Sequence, residues 1–120
     1  YKIYHQELDG LPGIRFPGFN LEQGESPQWV DLLVDDRNHL DQYLIEKNIF
    51  CRKFWFPLHS QAPYKLSDEK FPHATEISKK ALWLPSSFTL TDDEVRKVCD
   101  HIKAFLEGCA HKKVMRKAQS

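Results

Sequence analysis

The densest concentration of chemically useful side chains is the run Arg52-Lys53-Phe54-Trp55-Phe56-Pro57-Leu58-His59-Ser60-Gln61-Ala62-Pro63-Tyr64. Aromatic walls with a few polar tips suit a planar or sugar-like ligand. Rings cover its apolar faces, and a guanidinium, an imidazole and an amide orient it through hydrogen bonds. The same residues also suit a structural aromatic cluster, because Phe and Trp dominate cores. His59 taken alone reads as a hydrogen-bonded surface histidine.

Other chemistry is less well supported. Cys99-x-His101 and Cys109-x-His111 supply four metal-ligand types. On a helix, residues two apart point about 200° from each other, so neither pair converges on one ion as zinc requires. Both cysteines fall on an apolar stripe and are expected to pack as small hydrophobes; no metal site is expected. Cys51 adjoins Arg52, but strand alternation puts the two side chains on opposite faces, which removes the arginine as a thiol activator. The basic run Lys112-Lys113-Val114-Met115-Arg116-Lys117 complements the negative end of a helix and is expected to fray into water.

The elements that position these residues follow from periodicity and breakers. Tyr1–Leu8 reads as the end of a helix, stopped by Asp9-Gly10-Leu11-Pro12-Gly13. Ile14-Arg15-Phe16 is a short strand, and Trp29–Val34 is a nearly continuous apolar strand suited to a central position. Asp36 is placed to cap a helix over about Arg37–Lys47, and Asn48 stands where a left-handed residue ends one. Ile49–Phe56 alternates as a third strand, leading into a loop over Pro57–Pro63. A helix is predicted over about Pro72–Lys80, with proline suiting the first turn, followed by the short apolar segment Leu82-Trp83-Leu84. Thr91-Asp92-Asp93-Glu94 is a capping box that opens a helix whose stripe is Val95, Val98, Cys99, Ile102, Phe105, Leu106 and Cys109. The order is helix, strand, strand, helix, strand, helix, helix. It predicts an α+β fold, a small mixed or antiparallel sheet with helices packed on it.

A length of 120 residues fits one domain, 1–120, with 1–9 closing a preceding helix and 111–120 a frayed basic tail. Seventeen basic side chains against 17 acidic ones remove the electrostatic case for a nucleic-acid partner. Three cysteines fit a reducing, cytoplasmic setting better than a disulfide framework. No apolar run approaches the ~20 residues needed to span a bilayer, so no membrane partner is expected. The chain opens on Tyr1, already in the middle of an element, as expected of a piece of a longer polypeptide.

From about Gly13 to Leu106 the chain resembles the C-terminal domain of the DegT/StrS sugar aminotransferases. The carriers are the strand Trp29–Val34 followed by Arg37, the helix Leu40–Lys47, and Ile49-x-x-Arg52-x-x-Trp55-x-Pro57-Leu58-His59-x-Gln61-x-x-Tyr64. Phe71-Pro72-x-Ala74, Leu84-Pro85-Ser86-Ser87 and Leu90-Thr91-x-x-Glu94-Val95 complete them. Their order and spacing together are specific, and the Arg52, Trp55–Gln61 and Leu84–Ser87 patterns look most like the perosamine-synthase branch. Asn48 departs from the glycine many relatives carry, but asparagine is the next-best residue for positive φ.

The resemblance implies the small domain of an aspartate aminotransferase-like, fold-type I enzyme dependent on pyridoxal phosphate. Such an enzyme would move an amino group from glutamate to the keto carbon of a nucleotide-linked 4-keto-6-deoxy sugar. It implies that the Schiff-base lysine and the cofactor-binding residues lie in a larger N-terminal domain of the same polypeptide. No catalytic or cofactor-binding residue is therefore expected in this chain, and the piece alone would be inactive. It implies a homodimer when full length, and a small domain that forms one wall of the cleft. By position, Arg52 would pair with a carboxylate or phosphate, Trp55 and Tyr64 would face a sugar ring, and His59 and Gln61 would bond hydroxyls. A stand-alone binding module for nucleotide sugars or protein on the same fold is the alternative. A detached piece should also expose an apolar patch that the large domain covers.

Overall fold

In the computed structural model, which describes residues 1–118, four α-helices and four strands follow one another along the chain, with short 3-10 turns between some of them. They are α1 (Lys2–Leu8), β1 (Ile14–Arg15), β2 (Val30–Val34), α2 (Arg37–Glu46), β3 (Arg52–Lys53), α3 (Pro72–Lys80), β4 (Ala81–Leu84) and α4 (Asp92–Ala118). The strands form one antiparallel sheet in the order β1-β2-β4-β3. The fold is α+β.

Alternation divides the sheet into two faces. Val30, Leu32 and Val34 of β2 and Leu82 and Leu84 of β4 point to the core. There they meet Tyr4 and Leu8 of α1, Leu40 and Leu44 of α2, and Val98, Cys99 and Ile102 of α4. Each such large side chain contributes about 1.5–3 kcal/mol by burial. The Tyr4 hydroxyl donates to the Pro85 carbonyl at 2.7 Å, and Glu7 accepts from Arg96 and Lys103, both at 2.6 Å, fastening α1 to the end of β4 and to α4. The other face carries Asp31, Leu33, Ala81, Trp83 and Arg52, and α3 lies against part of it.

Several local expectations hold. Helix α3 spans Pro72–Lys80, and Asn48 ends α2 at φ 59° while the Ile49 N–H donates to the Leu44 carbonyl at 2.9 Å. At the start of α4 the Thr91 N–H donates to Glu94 Oε2 at 2.8 Å and the Glu94 N–H donates to Thr91 Oγ1 at 3.3 Å. That reciprocal pair is the predicted capping box.

Four expectations need correction. Leu82-Trp83-Leu84 is part of a central strand, β4, joined on both sides. The third strand is two residues rather than Ile49–Phe56, because it is an edge that pairs only with the four-residue β4. Asp36 makes no side-chain bond to the backbone; its carboxylate lies 2.6 Å from His39 Nδ1 instead. Helix α4 runs to Ala118, through the segment 111–118 that the sequence suggested would fray. Good helix formers fill that stretch, and basic residues near a C-terminus suit the helix dipole. The side chains of the basic run, Met115 apart, lie outside the described residues.

Candidate functional site

The sheet register brings the chemistry together. Trp83, in the middle of β4, pairs with Asp31 of β2 on one side and with Arg52 of β3 on the other. The three form one row across the face away from the core. Trp83 is 4% exposed because rings close over it. Trp29 stacks on it at 4.4 Å and 18°, and Trp55 and Phe54 meet it edge-on at 5.4 and 5.7 Å. All three tryptophans of the chain gather here.

The Arg52 guanidinium lies over two of these rings, 5.3 Å from the Trp55 centroid and 5.7 Å from that of Trp83. Attraction to the ring faces is worth about 0.5–1 kcal/mol at an exposed site and holds the cation without neutralising it. Arg52 is exposed, and no carboxylate pairs with it among the described residues. The fork is thus free to accept a bidentate anion. By contrast Lys53, next in sequence, turns to the other face and pairs with Asp41 at 3.4 Å.

Beneath the rings, Asp31 Oδ1 and Trp83 Nε1 are both buried without a hydrogen-bond partner among the described residues. Burial pushes the Asp31 carboxyl above its ordinary value, and the nearby Trp83 indole N–H pulls the other way without closing a bond.

After β3 the chain forms a loop, 54–71, built from short 3-10 turns. Gln61 Nε2 donates to the Phe56 carbonyl at 3.1 Å, Ser60 Oγ donates to the Pro57 carbonyl at 2.7 Å, and the Leu66 N–H donates to the His59 carbonyl at 2.9 Å. The His59 ring points inward. It is stacked on Phe71 at 4.7 Å, with Nε2 at 3.0 Å from both Asp68 Oδ1 and Thr75 Oγ1. The outer surface of this region is apolar: Phe50, Trp55, Phe56, Leu58, Tyr64 and Leu66 are each more than half exposed.

The five residues singled out in the sequence therefore separate. Arg52 and Trp55 are brought into contact, and Tyr64 stands exposed further along the same loop. Gln61 and His59 spend side-chain nitrogens within the protein. Trp83, Trp29 and Asp31 were missed. Only strand pairing reveals them, although three tryptophans beside apolar strand segments were a usable signal.

Neither Cys51 nor Cys99 is placed for nucleophilic thiol chemistry. Burial, with Asp41 adding to it, pushes the Cys51 thiol up to about 12, and burial first of all raises Cys99 to about 11, so both stay protonated at neutral pH. Cys99 lies in the core, and His101 sits edge-on to Tyr43 at 6.4 Å. A polar cleft of about 230 Å³ lies between β1 and α3, lined by Arg15, Asp35, His73, Glu76 and Lys80 among others. Its lysine is already paired with Asp35 at 3.4 Å and Glu76 at 3.1 Å. No helix among the described residues is long and apolar enough to cross a membrane.

Residues 1–103 match the model of a family described as DegT/DnrJ/EryC1/StrS aminotransferases. A dTDP-4-dehydro-2,3,6-trideoxy-D-glucose 4-aminotransferase of Saccharopolyspora spinosa is 31% identical over 108 residues, covering 87% of this chain and 28% of that protein. A GDP-perosamine synthase of Vibrio cholerae is 30% identical over 114 residues, covering 87% of this chain and 30% of that one. Among solved structures, DesV of S. venezuelae superposes with a TM-score of 0.76 at 22% identity, covering 88% of this chain and 30% of DesV. DesI, solved with its TDP-sugar product, gives 0.73 at 20% identity, covering 99% of this chain and 32% of DesI. The chain thus spans less than a third of the length of the curated relatives it matches.

Proposed function

The chain belongs to the DegT/DnrJ/EryC1/StrS aminotransferase family, and from that premise we propose that it is the C-terminal small domain of a pyridoxal phosphate-dependent sugar aminotransferase. The whole enzyme moves an amino group from glutamate to the keto carbon of a nucleotide-linked 4-keto-6-deoxy sugar, of the perosamine type. The names of the relatives, which include a dTDP-sugar aminotransferase and a GDP-perosamine synthase, support the nucleotide-sugar class. The low share of their length covered supports a partner domain in the same polypeptide.

The residues present do not fit the cofactor. A Schiff-base lysine works from a desolvated position beside other polar groups. Among the described residues the buried polar side chains are Asp41 and His59, with no lysine. Lys53, Lys80 and Lys103 are committed to carboxylates. On this reading pyridoxal phosphate and its lysine belong to the large domain.

What this chain contributes is a wall. The observation that carries the proposal is the exposed Arg52 guanidinium held over Trp55 and Trp83 without a carboxylate partner. It binds a carboxylate or phosphate group of a substrate, while Trp55 and Tyr64 offer ring faces to a sugar. The uncovered apolar residues Phe56, Leu58 and Leu66 meet the large domain and exclude water from the cleft.

The test is made on the full-length polypeptide. Glutamate alone should convert the bound cofactor to its pyridoxamine form, and a nucleotide-linked 4-keto-6-deoxy sugar should reverse the conversion. Losing a charge-assisted contact costs about 1.5–3 kcal/mol, so Arg52→Met should raise KM for one of the two substrates by roughly tenfold to a hundredfold. Arg52→Lys should recover part of the loss, because ammonium keeps the charge without the fork. No conversion with glutamate, or unchanged kinetics in Arg52→Met, overturns the proposal.

A further inference from the structure

Loop 54–71 carries Trp55 and Tyr64, yet little of its own surface is buried: Trp55, Phe56, Leu58, Tyr64 and Leu66 are all more than half exposed. Sheet pairing ends at its first residue, with the bond from the Phe54 N–H to the Ala81 carbonyl at 3.3 Å. Inside the loop, hydrogen bonds close on themselves: Gln61 to Phe56, Ser60 to Pro57, Tyr64 to Gln61 and Leu66 to His59. Among the described residues, every hydrogen bond that leaves residues 55–66 for another part of the chain goes through the ring of His59.

The chemistry of that ring is determined by its partners. Asp68, as a carboxylate, only accepts, so Nε2 carries the proton and donates to it. Thr75 Oγ1, in the first turn of α3, lies at the same 3.0 Å and shares the proton. Phe71 covers one ring face, and the residue is 5% exposed. With Nε2 engaged and Phe71 over one face, little of the imidazole is left for a substrate hydroxyl.

We infer that His59 is a positioning residue whose imidazole, bridging Asp68 and Thr75, pins the aromatic loop to α3 and so holds Trp55 and Tyr64 where a ligand meets them. What the loop then does rests on the proposed function; the pin itself does not.

The experiment compares His59→Ala, His59→Gln, Asp68→Asn and Thr75→Val in the full-length polypeptide, each read twice. Amide exchange across residues 58–71 should speed up roughly tenfold in His59→Ala, as local opening no longer breaks the pin. It should speed up less in Asp68→Asn and Thr75→Val. KM for the nucleotide sugar should rise about tenfold in His59→Ala with kcat nearly unchanged, because misplacement weakens binding at a distance from the reacting atoms. His59→Gln, whose amide has two N–H groups for the same two oxygens, should recover part of both effects. If His59→Ala does not fold, Asp68→Asn and Thr75→Val carry the same two readouts. Exchange unchanged while sugar binding is lost in the His59 variants alone overturns the inference in favour of direct contact. Faster exchange with unchanged KM overturns it in the other direction, as a pin that positions nothing. Should the enzyme accept no nucleotide sugar at all, the proposed function fails and the exchange measurement alone decides the pin.

Discussion

A guanidinium that lies over two indoles is held in place and left charged. Arg52 is in that state, whereas Lys53 beside it is spent on Asp41. Asp31, in the same row, bears the cost of the arrangement. Its carboxyl is raised above the ordinary 3.8 by burial, against the pull of Trp83. A raised folded-state value favours the protonated acid. The resulting penalty on the native state is therefore absent below the unfolded value and grows as pH rises through the folded one. Asp31→Asn removes the charge and keeps an oxygen for the Trp83 N–H. It should raise the midpoint of thermal unfolding at neutral pH, with the gain shrinking as pH approaches 3.8; a lower midpoint at neutral pH would contradict this account. Arg52 and Trp55 were legible in the sequence because they lie three apart in one unusual run. Their partner Trp83 was not, because a contact across strands depends on register, which residue types alone leave open.

At the scale of elements, legibility followed locality. The capping box at Thr91, the proline-led helix Pro72–Lys80 and the left-handed Asn48 are each specified by a few neighbouring residues, and each is found as expected. Thr91→Ala should cost about 1 kcal/mol and speed amide exchange in the first turn of α4, while Thr91→Ser should restore both. What depends on distant partners was misjudged. Leu82-Trp83-Leu84 is too short to declare itself a strand, yet β2 and β3 on its two sides make it one. The alternation through Ile49–Phe56 is real in sequence, but β4 offers only four residues to pair with. Asp36 is the local exception: the ring of His39, three residues on, takes its carboxylate in place of the helix backbone.

For the molecule as a whole, the first helix and the last are joined by charge. The Lys103 hydrogen bond, with Arg96 beside it, holds the Glu7 carboxyl below its ordinary 4.5. A lowered folded-state value contributes stability that is present above the unfolded value and is lost as pH falls through the folded one. Glu7→Gln should therefore lower the midpoint of thermal unfolding at neutral pH and flatten its decline below about pH 4.5; an acid limb as steep as that of the unsubstituted chain would assign the decline elsewhere.

The strand order has a consequence for how the protein comes into being. β4 is synthesised after the other three strands, yet it sits between β2 and β3. Until residues 81–84 emerge, β2 keeps a naked edge and β3 has nothing to join. The surface that displays Arg52 and Trp55 is thus the last part of the sheet to assemble. A ribosome that stalls before Ala81 releases a chain with an open apolar strand, a template for aggregation.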